Sequence, residues 1–377
     1  MRVEAVEVVV AQLSLRAPVH SAGVTHADKA TLFFRVVTDE GSGWGECSAY
    51  ADARSPDPTV EAIEPTTVDR AIARLFTGSV GGTLPSASSV AGLCVGGGSV
   101  GEQSVAGALE MAVLDAELRS ASRSLASLLG VAHREVGVGD VVGIPPEHDL
   151  GALIDAVGAA LDEGARRVRI KIEPGWDHAP LSAVRERYAD AVLQADANGS
   201  FEPGAAAGLR GLDTYGLRCL EQPFVAEDLQ SHRALAESMS TPIALDESLW
   251  SVARVRDAVQ AGACRVACVK PGRLGGVFAA IAAAEACAEA GVECFVGGFF
   301  ETGLGRCVNA ALAGRAEFSL PGDLGDPDRY LAANPFAYLP EEGGTVRLSD
   351  APGLGAELRP GVMAAHRTYT RRVDFGS

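Results

Sequence analysis

Five ionisable residues are spaced almost evenly through the middle of the chain, each at the end of a short apolar segment. In order they are Lys171, Asp196, Glu221, Asp246 and Lys270, and successive members are separated by 25, 25, 25 and 24 residues. One strand, one helix and two connecting loops need about 25 to 30 residues, so this spacing is the period of a βα repeat. We therefore expect the five side chains at the carboxyl ends of five consecutive parallel strands, where barrel enzymes have their active sites.

The three central members of this series are carboxylates, and adjacent strands lie only about 4.8 Å apart. At an effective dielectric constant of 20, two like charges about 5 Å apart cost roughly 3 kcal/mol, which favours a cation among them. Asp196, Glu221 and Asp246 are therefore predicted to bind a hard divalent ion, Mg²⁺ first and Mn²⁺ second. The series contains no His or Cys, which argues against zinc.

The two lysines flank the carboxylates on the outer strands of the five. In a closed eight-stranded barrel the second and sixth strands face each other, so Lys171 and Lys270 are expected on opposite sides of a bound ligand. A cation that holds a substrate carboxylate acidifies the α-carbon, and a desolvated lysine near a fixed positive charge can act as the base. The series thus predicts metal-assisted removal of a proton α to a carboxylate.

The alternation of side chains along a strand adds two expectations. Arg169 is two residues before Lys171 and is predicted to point into the barrel with it. Glu247 follows Asp246 directly and is predicted to point away from the barrel interior, where a structural salt bridge is its expected role.

Length and charge restrict the partners of the protein. The chain has 377 residues and a net charge of −17, which disfavours nucleic acid and anionic membrane surfaces as partners. The first residues do not resemble a signal peptide and no stretch of 18 apolar residues is present, which predicts a cytoplasmic protein. The predicted partner is a small anionic carboxylate substrate, and a homo-oligomer is compatible with the sequence.

The strand and helix patterns predict two folding units. Residues 1–130 are expected to form an α+β capping domain, and residues 131–320 a (β/α)8 barrel whose eighth strand lies near 317–320. The segment 321–377 is expected to return to the capping domain. A loop at 18–30 is expected to join the first two strands and to close over a ligand.

Several motifs are spread over nearly the whole chain: GALEMAVLDAELR at 107–119, KIEPGWD at 171–177, DAN at 196–198, LEQPF at 220–224, ALDES at 244–248, KPGRLGG at 270–276 and GGFFETGLGR at 297–306. They resemble the enolase superfamily and its muconate-lactonising subgroup, in which both bases are lysines. Within that subgroup, the chain resembles the o-succinylbenzoate synthase / N-succinylamino acid racemase family. The fold implied is an enolase-like, modified TIM barrel with an N-terminal capping domain.

The resemblance also implies a role for each matching position. Lys171 would remove the α-proton, and Lys270 would be either a second base or a cation beside the enediolate. Substrate contacts are implied for Arg169, Asn198, Gly297, Gly298, Phe299, Phe300 and Glu301, together with the loop near Ala22 to His26. The family usually has lysine where Arg169 stands, and arginine cannot share proton transfer because it stays protonated.

The sequence leaves three functions open. The leading prediction is dehydration of the o-succinylbenzoate synthase type, which the resemblance links to menaquinone biosynthesis. The second is racemisation of an N-succinylamino or other N-acylamino acid by 1,1-proton transfer between the two lysines. The third is a non-catalytic barrel that binds a metal or a carboxylate, for which bases on two faces would be unnecessary.

Overall fold

The computed structural model describes residues 1–21, 24–48, 57, 59–60, 62–94 and 99–376. In this part of the chain the strands are β1 (Val3–Ser21), β2 (Val24–Thr38), β3 (Gly41–Cys47), β4 (Glu135–Val142), β5 (Arg167–Lys171), β6 (Leu193–Asp196), β7 (Leu220–Glu221), β8 (Ile243–Leu245), β9 (Val266–Val269), β10 (Glu293–Val296), β11 (Gly322–Asp323), β12 (Glu341–Glu342), β13 (Thr345–Arg347) and β14 (Arg367–Asp374).

The helices of the described chain alternate with the central strands. They are α1 (Pro65–Gly78), α2 (Ala87–Cys94), α3 (Val100–Ser120), α4 (Leu125–Leu129), α5 (Leu150–Asp162), α6 (His178–Arg187), α7 (Ala206–Leu209), α8 (Leu229–Ser238), α9 (Val252–Ala261), α10 (Pro271–Leu274), α11 (Val277–Glu289), α12 (Gly303–Ala313), α13 (Pro327–Tyr330) and α14 (Pro360–His366). Several begin at a side chain that accepts a hydrogen bond from the first turn, for example Asp149 before α5 and Ser251 before α9.

Residues 135–323 contain eight parallel strands that close into a barrel. Strands β4 to β10 pair in sequence order, and β11 pairs with β4. The ring closes beside β10, where the Leu320 N–H donates to the carbonyl oxygen of Cys294 at 3.2 Å. Strands β5 to β9 are buried along their whole length, as expected for a parallel sheet covered by helices. The predicted (β/α)8 barrel is confirmed.

The position predicted for the eighth strand was wrong. The strand is Gly322–Asp323 rather than 317–320. A strand of two residues, one of them glycine, has no apolar segment that a sequence pattern could reveal.

The N-terminal residues form the predicted α+β capping domain. Its antiparallel sheet has the order β14-β1-β2-β3, and α3 packs across β3. A Cβ atom on Gly45 would lie 1.8 Å from the backbone oxygen of Ala108, so this close approach of helix and strand requires glycine. Strand β1 extends to Ser21 and strand β2 begins at Val24. Most of the region predicted as a loop at 18–30 therefore belongs to a β-hairpin.

The end of the chain contacts both folding units. Strand β13 pairs with β4 on the barrel, whereas β14 pairs with β1 in the capping sheet. The domain boundaries at 130 and 320 stay a prediction. Among the described residues, no helix is both long and apolar enough to cross a membrane.

Candidate active site

The five evenly spaced residues lie at the carboxyl ends of neighbouring barrel strands. Lys171 at the end of β5 is the register partner of Asp196, which is also the partner of Glu221 on β7. The other register partner of Glu221 is Ala244 on β8. Asp246 lies two residues after Ala244, directly beyond the end of β8. The exposed fraction ranges from 0% for Glu221 to 8% for Lys171, and Lys270 lies between them at 6%. All five side chains are therefore out of bulk water at one end of the barrel.

The Lys171 amine is held by two oxygen atoms from the segment that ends β6. Its Nζ donates to Asp196 Oδ2 at 2.6 Å and to Asn198 Oδ1 at 2.7 Å. Asn198 has a φ of 43°, and its backbone N–H donates to Asp196 Oδ1 at 3.0 Å. The turn after β6 thus places a carboxylate and an amide oxygen against one amine and fixes the position of Nζ.

The Lys270 amine is held by a different carboxylate. Its Nζ donates to Asp246 Oδ2 at 2.7 Å, while Arg273 Nη1 donates to Asp246 Oδ1 at 2.6 Å. Arg273 also binds Asp57, with 2.9 Å between Nε and Oδ1. Burial acts to raise the pKa of Asp246, but the cations of Arg273 and Lys270 outweigh it and hold this pKa well below its usual range. Asp246 therefore carries a full negative charge at neutral pH.

Glu221 lies between these two groups and is completely buried. Arg169 Nη1 donates to both carboxylate oxygens of Glu221 at 2.9 Å, and the Gln194 amide also donates to Oε2. Burial raises the pKa of Glu221 to about 7; Arg169 opposes this rise, whereas Asp196 and Asp246 add to it. A carboxylate in this setting is stabilised by any further positive charge placed beside it.

The donor atoms at this end of the barrel fit a hard divalent cation. In the described residues, Glu221, Asp246 and Cys268 offer ligand atoms that all lie within 4.8 Å of one another. Burial, with the nearby carboxylates, raises the pKa of the Cys268 thiol far above its usual value, so this sulfur stays protonated and is a poor ligand. Asp196 lies outside this group, with Oδ2 bound to Lys171. The oxygen donors suit Mg²⁺ or Mn²⁺ better than zinc.

Glu247 does not form the predicted salt bridge among the described residues. It is 3% exposed, its Oε1 accepts a hydrogen bond from Asn198 Nδ2 at 2.9 Å, and its Oε2 has no hydrogen-bond partner. Burial and the charges of Asp246 and Asp196 raise its pKa to about 8. The prediction was wrong because β8 ends at Leu245, and strand alternation does not apply beyond that residue.

The segment 297–302, here called the β10 loop, lies against Lys270. A Cβ atom on Gly297 would lie 2.9 Å from Lys270 Cε and 2.3 Å from Cys268 Sγ, so any larger residue there would force these side chains or the loop to move. The centroid of the Phe299 ring is 4.5 Å from Lys270 Nζ. The loop therefore packs along the stem of this lysine and over its charged end.

Two other predicted residues of the β10 loop support its backbone. Glu301 Oε1 accepts hydrogen bonds from the Phe299 N–H at 2.9 Å and from Asn309 Nδ2 at 3.0 Å, and its Oε2 is 3.0 Å from Arg306 Nη2. A Cβ atom on Gly298 would lie 2.8 Å from Arg306 Nη1. Contact of these residues with a substrate stays a prediction.

A cavity of about 860 Å³ opens beside β4 and β11, and Phe300 forms part of its wall. The ring of Phe300 packs edge-on against Tyr330, with 5.5 Å between centroids. His20 brings the β1–β2 hairpin to the same cavity. Ala22, which was predicted to line the pocket, lies outside the described residues, as does Gly23.

Asp323 is a site residue that the sequence analysis missed. Its Oδ1 accepts a hydrogen bond from Arg167 Nη2 at 2.7 Å, and its Oδ2 accepts one from Arg169 Nη2. Burial acts to raise the pKa of Asp323, but the two arginines hold it well below its usual range. Arg169 thus bridges Glu221 and Asp323 across the barrel. The sequence signal that could have revealed Asp323 is its place as a carboxylate at the end of the eighth strand.

The arrangement can move protons on two sides of a bound molecule. Strands β5 and β9 are four positions apart in a ring of eight, so they stand on opposite sides of the barrel. Lys171 and Lys270 carry their amines at the same end of these strands, with the carboxylates on the strands between them. A carbon atom held between the amines could exchange a proton with either of them.

Comparisons with protein families cover most of the chain. Residues 152–362 match the family described as enolase C-terminal domain-like. Residues 4–130 match the N-terminal domain of mandelate racemase / muconate lactonizing enzyme.

Individual relatives match over at least 95% of each chain. N-succinylamino acid racemase from Amycolatopsis sp is 39% identical over 378 residues, which is 100% of each chain. The o-succinylbenzoate synthase of Bacillus subtilis (strain 168) is 31% identical over 366 residues, 96% of this chain and 95% of that protein. The crystal structure of an enolase superfamily member from Listeria innocua matches 100% of both chains, with a TM-score of 0.91 and 28% identity.

Proposed function

Since this chain belongs to the enolase superfamily, in its mandelate racemase / muconate lactonizing enzyme group, we propose that it removes the proton α to a carboxylate. The substrate is a small anionic carboxylate. The first candidate reaction is 1,1-proton transfer on an N-succinylamino or other N-acylamino acid. In this reaction one base takes the α-proton from one face and a second base returns a proton to the other face.

The observation that carries this proposal is the pair of buried amines on opposite barrel strands. Lys171 is hydrogen-bonded to Asp196, and Lys270 is hydrogen-bonded to Asp246. Removal of a proton in one direction needs one base, whereas exchange at both faces needs two. The similarity to N-succinylamino acid racemase over the full length supports the same reaction.

We propose Asp196, Glu221 and Asp246 as the ligands of Mg²⁺, with Mn²⁺ as a substitute. Their oxygen atoms are hard donors, and burial beside Asp196 and Asp246 raises the pKa of Glu221, so a cation among the three carboxylates would favour its charged form. When bound, the cation would supply the charge that stabilises the negative charge developing on the substrate carboxylate as the α-proton leaves.

Each side chain then has a defined task. Lys171 Nζ accepts the α-proton from one face of the substrate, and Lys270 Nζ accepts it from the other. Asn198 orients Lys171, since its Oδ1 lies 2.7 Å from the lysine Nζ. Arg169 stays protonated and compensates the charges of Glu221 and Asp323 rather than moving a proton.

The test is deuterium exchange on single enantiomers. Each enantiomer of N-succinylalanine and N-succinylphenylalanine is incubated with the protein and Mg²⁺ in D₂O, and α-deuterium is followed by NMR and inversion by polarimetry. We expect Lys171→Ala to abolish exchange of one enantiomer and Lys270→Ala to abolish exchange of the other. If the wild-type protein exchanges neither enantiomer, or if neither variant changes any rate, the two-base reaction is excluded.

Dehydration of a cyclohexadiene carboxylate to o-succinylbenzoate is the second candidate, and the similarity to o-succinylbenzoate synthase favours it. Lys171 would remove the α-proton, hydroxide would leave from the same face, and Lys270 would act as a cation. The product is aromatic, so absorbance in the ultraviolet reports the reaction directly. A barrel that only binds a metal or a carboxylate would bind Mg²⁺ in calorimetry and give neither exchange nor an aromatic product.

We further propose a cytoplasmic location. The thiols of six cysteines are free and buried, which favours a reducing compartment: Cys219, Cys264, Cys268, Cys287, Cys294 and Cys307. A homo-oligomeric state stays a prediction.

A further inference from the structure

Lys29 is a lysine of the capping domain whose amine contacts the β10 loop of the barrel. It lies on β2, is 5% exposed, and its Nζ donates to the carbonyl oxygens of Ser48 at 2.9 Å and of Phe300 at 3.2 Å. The carbonyl oxygen of Phe299 accepts a third, short hydrogen bond from the same amine. One buried amine therefore ties the capping domain to two consecutive residues of the β10 loop.

Glu46 on β3 holds the other end of the same loop. Its Oε1 accepts a hydrogen bond from the Thr302 N–H at 2.8 Å, and its Oε2 accepts one from Thr302 Oγ1 at 2.6 Å and one from the Gly305 N–H at 2.9 Å. These donors lie at the start of α12, on Thr302 just before the helix and on Gly305 in its first turn, where a carboxylate is favoured by the helix dipole. Two strands of the capping sheet thus hold the β10 loop from Phe299 to Thr302.

The backbone of the β10 loop needs this support. Phe300 has a φ of 53°, in the left-handed region, which is unfavourable for a residue with a side chain. Lys29 binds the carbonyl groups on both sides of this conformation, that of Phe299 and that of Phe300 itself. The amine therefore stabilises a local conformation that the chain alone disfavours.

The contacts given above join the β10 loop to one of the two proposed bases, Lys270. Gly297 lies against the stem of Lys270, and the Phe299 ring lies over its Nζ. Lys171 takes its position from the turn after β6, through Asp196 and Asn198. A shift of the β10 loop would therefore displace Lys270 more than Lys171.

We propose that Lys29 is a positioning residue for Lys270, acting through the β10 loop to set proton exchange on one face of the substrate. Lys29 does not touch the substrate in this proposal. It holds the carbonyl groups of Phe299 and Phe300, and these fix the Phe299 ring and the Gly297 backbone that border the Lys270 amine. The inference rests on the two-base reaction proposed above.

The experiment compares the two enantiomers of N-succinylphenylalanine in D₂O, after Lys171→Ala and Lys270→Ala have assigned one enantiomer to each lysine. Lys29→Met removes the three donated hydrogen bonds and keeps an unbranched side chain. We expect kcat for exchange of the Lys270 enantiomer to fall about 10- to 100-fold, as for a base displaced by about 1 Å, with both KM values changed less than about threefold. Exchange of the Lys171 enantiomer should change less than about twofold.

Two further variants give the controls. Arg35→Met removes a cation from the same strand, but one whose partners Glu7 and Ser42 belong to the capping sheet, and it should slow neither enantiomer. Lys29→Arg restores a buried donor and should recover most of the lost rate. If Lys29→Met does not fold, Lys29→Gln is judged by the same comparison.

The outcomes separate this inference from the proposed function. Wild-type protein that exchanges neither enantiomer overturns the proposed function. Wild-type protein that exchanges both, with Lys29 variants that slow both enantiomers by the same factor or slow neither, overturns the positioning role alone.

Discussion

Single residues at the carboxyl end of the barrel compensate one another's charge in pairs. Lys171 is paired with Asp196, Lys270 with Asp246, and Arg169 with Glu221. Removing one partner of a buried pair costs about 3–5 kcal/mol, because the remaining charge is left uncompensated. Each pairing therefore also restricts the position of the two lysine amines. The backbone and side chains packed around these amines should then affect the rate of α-proton exchange.

Gly297 allows a direct test of how closely the backbone of the β10 loop confines Lys270. In Gly297→Ala the new methyl group would lie 2.3 Å from Cys268 Sγ and 2.9 Å from Lys270 Cε, so the lysine or the loop must move. We expect the rate of α-proton exchange to fall about 100-fold, since a catalytic group displaced by about 1 Å loses that much. Gly361→Ala, where nothing lies within 4 Å of the new atom, is the control and should keep the wild-type rate. A Gly297→Ala protein with full activity would show that the Lys270 stem is not confined by this backbone.

Strands are linked across the barrel by Arg169, which extends from β5 to Glu221 on β7 and to Asp323 on β11. The capping domain adds links from outside the barrel, through Lys29, Glu46 and Asp57. The barrel strands near the site are two to five residues long, so these side-chain links join elements that have few backbone hydrogen bonds of their own.

The bridge by Arg169 predicts a non-additive pair of substitutions. Arg169→Met should lower the free energy of unfolding by about 3–5 kcal/mol, because it leaves two buried carboxylates without their shared cation. It should also weaken Mg²⁺ binding at pH 7, since the pKa of Glu221, already about 7, would rise further and a proton would compete with the cation. Urea denaturation measures the first effect, and calorimetric titration with Mg²⁺ measures the second.

The matched experiment combines this change with Asp323→Asn. The double variant should be more stable than the sum of the two single effects predicts, because the second change removes one of the carboxylates that the first left uncompensated. Strictly additive effects would mean that Arg169 and Asp323 do not depend on each other.

The elements of the barrel were predictable because a repeated period needs no knowledge of contacts. Strands of this length recur every βα unit, and the residues at their ends, from Lys171 to Lys270, follow from that period. Strand β11 was misplaced because two residues carry no periodicity. Glu247 was misjudged because alternation ends with the strand. Lys29 and Glu46 leave no local signal, since the residues of the β10 loop that they hold lie more than 250 positions away in the chain.

The whole molecule depends on the contact between the capping domain and the barrel. Helix α3 of the capping domain lies against the start of α11, where a Cβ atom on Gly107 would come 2.8 Å from the Gly276 nitrogen. At this contact Glu110 Oε1 accepts hydrogen bonds from the N–H groups of Val277 and Phe278. A carboxylate of one domain thus caps a helix of the other, in the same way as Glu46 caps α12.

Glu110 makes the stability of the whole protein depend on pH. Burial raises its pKa from 4.5 to about 8, although the backbone N–H groups of Val277 and Phe278 act to lower it. Because the folded protein holds this proton more tightly than the unfolded chain, the contribution of Glu110 to the free energy of unfolding should be highest below pH 4.5. It should then fall as the pH rises to about 8.

Glu110→Gln is neutral at every pH and has nearly the same shape. We therefore expect this variant to lose less stability between pH 5 and pH 8 and to exceed the wild type at pH 8 by about 2 kcal/mol or more. Urea denaturation at several pH values and one Mg²⁺ concentration measures both quantities. Glu102→Gln, in the first turn of the same helix, removes a carboxylate away from this contact and should leave the wild-type slope unchanged. If Glu110→Gln has the same slope as the wild type, the pH dependence does not arise at this contact between the domains.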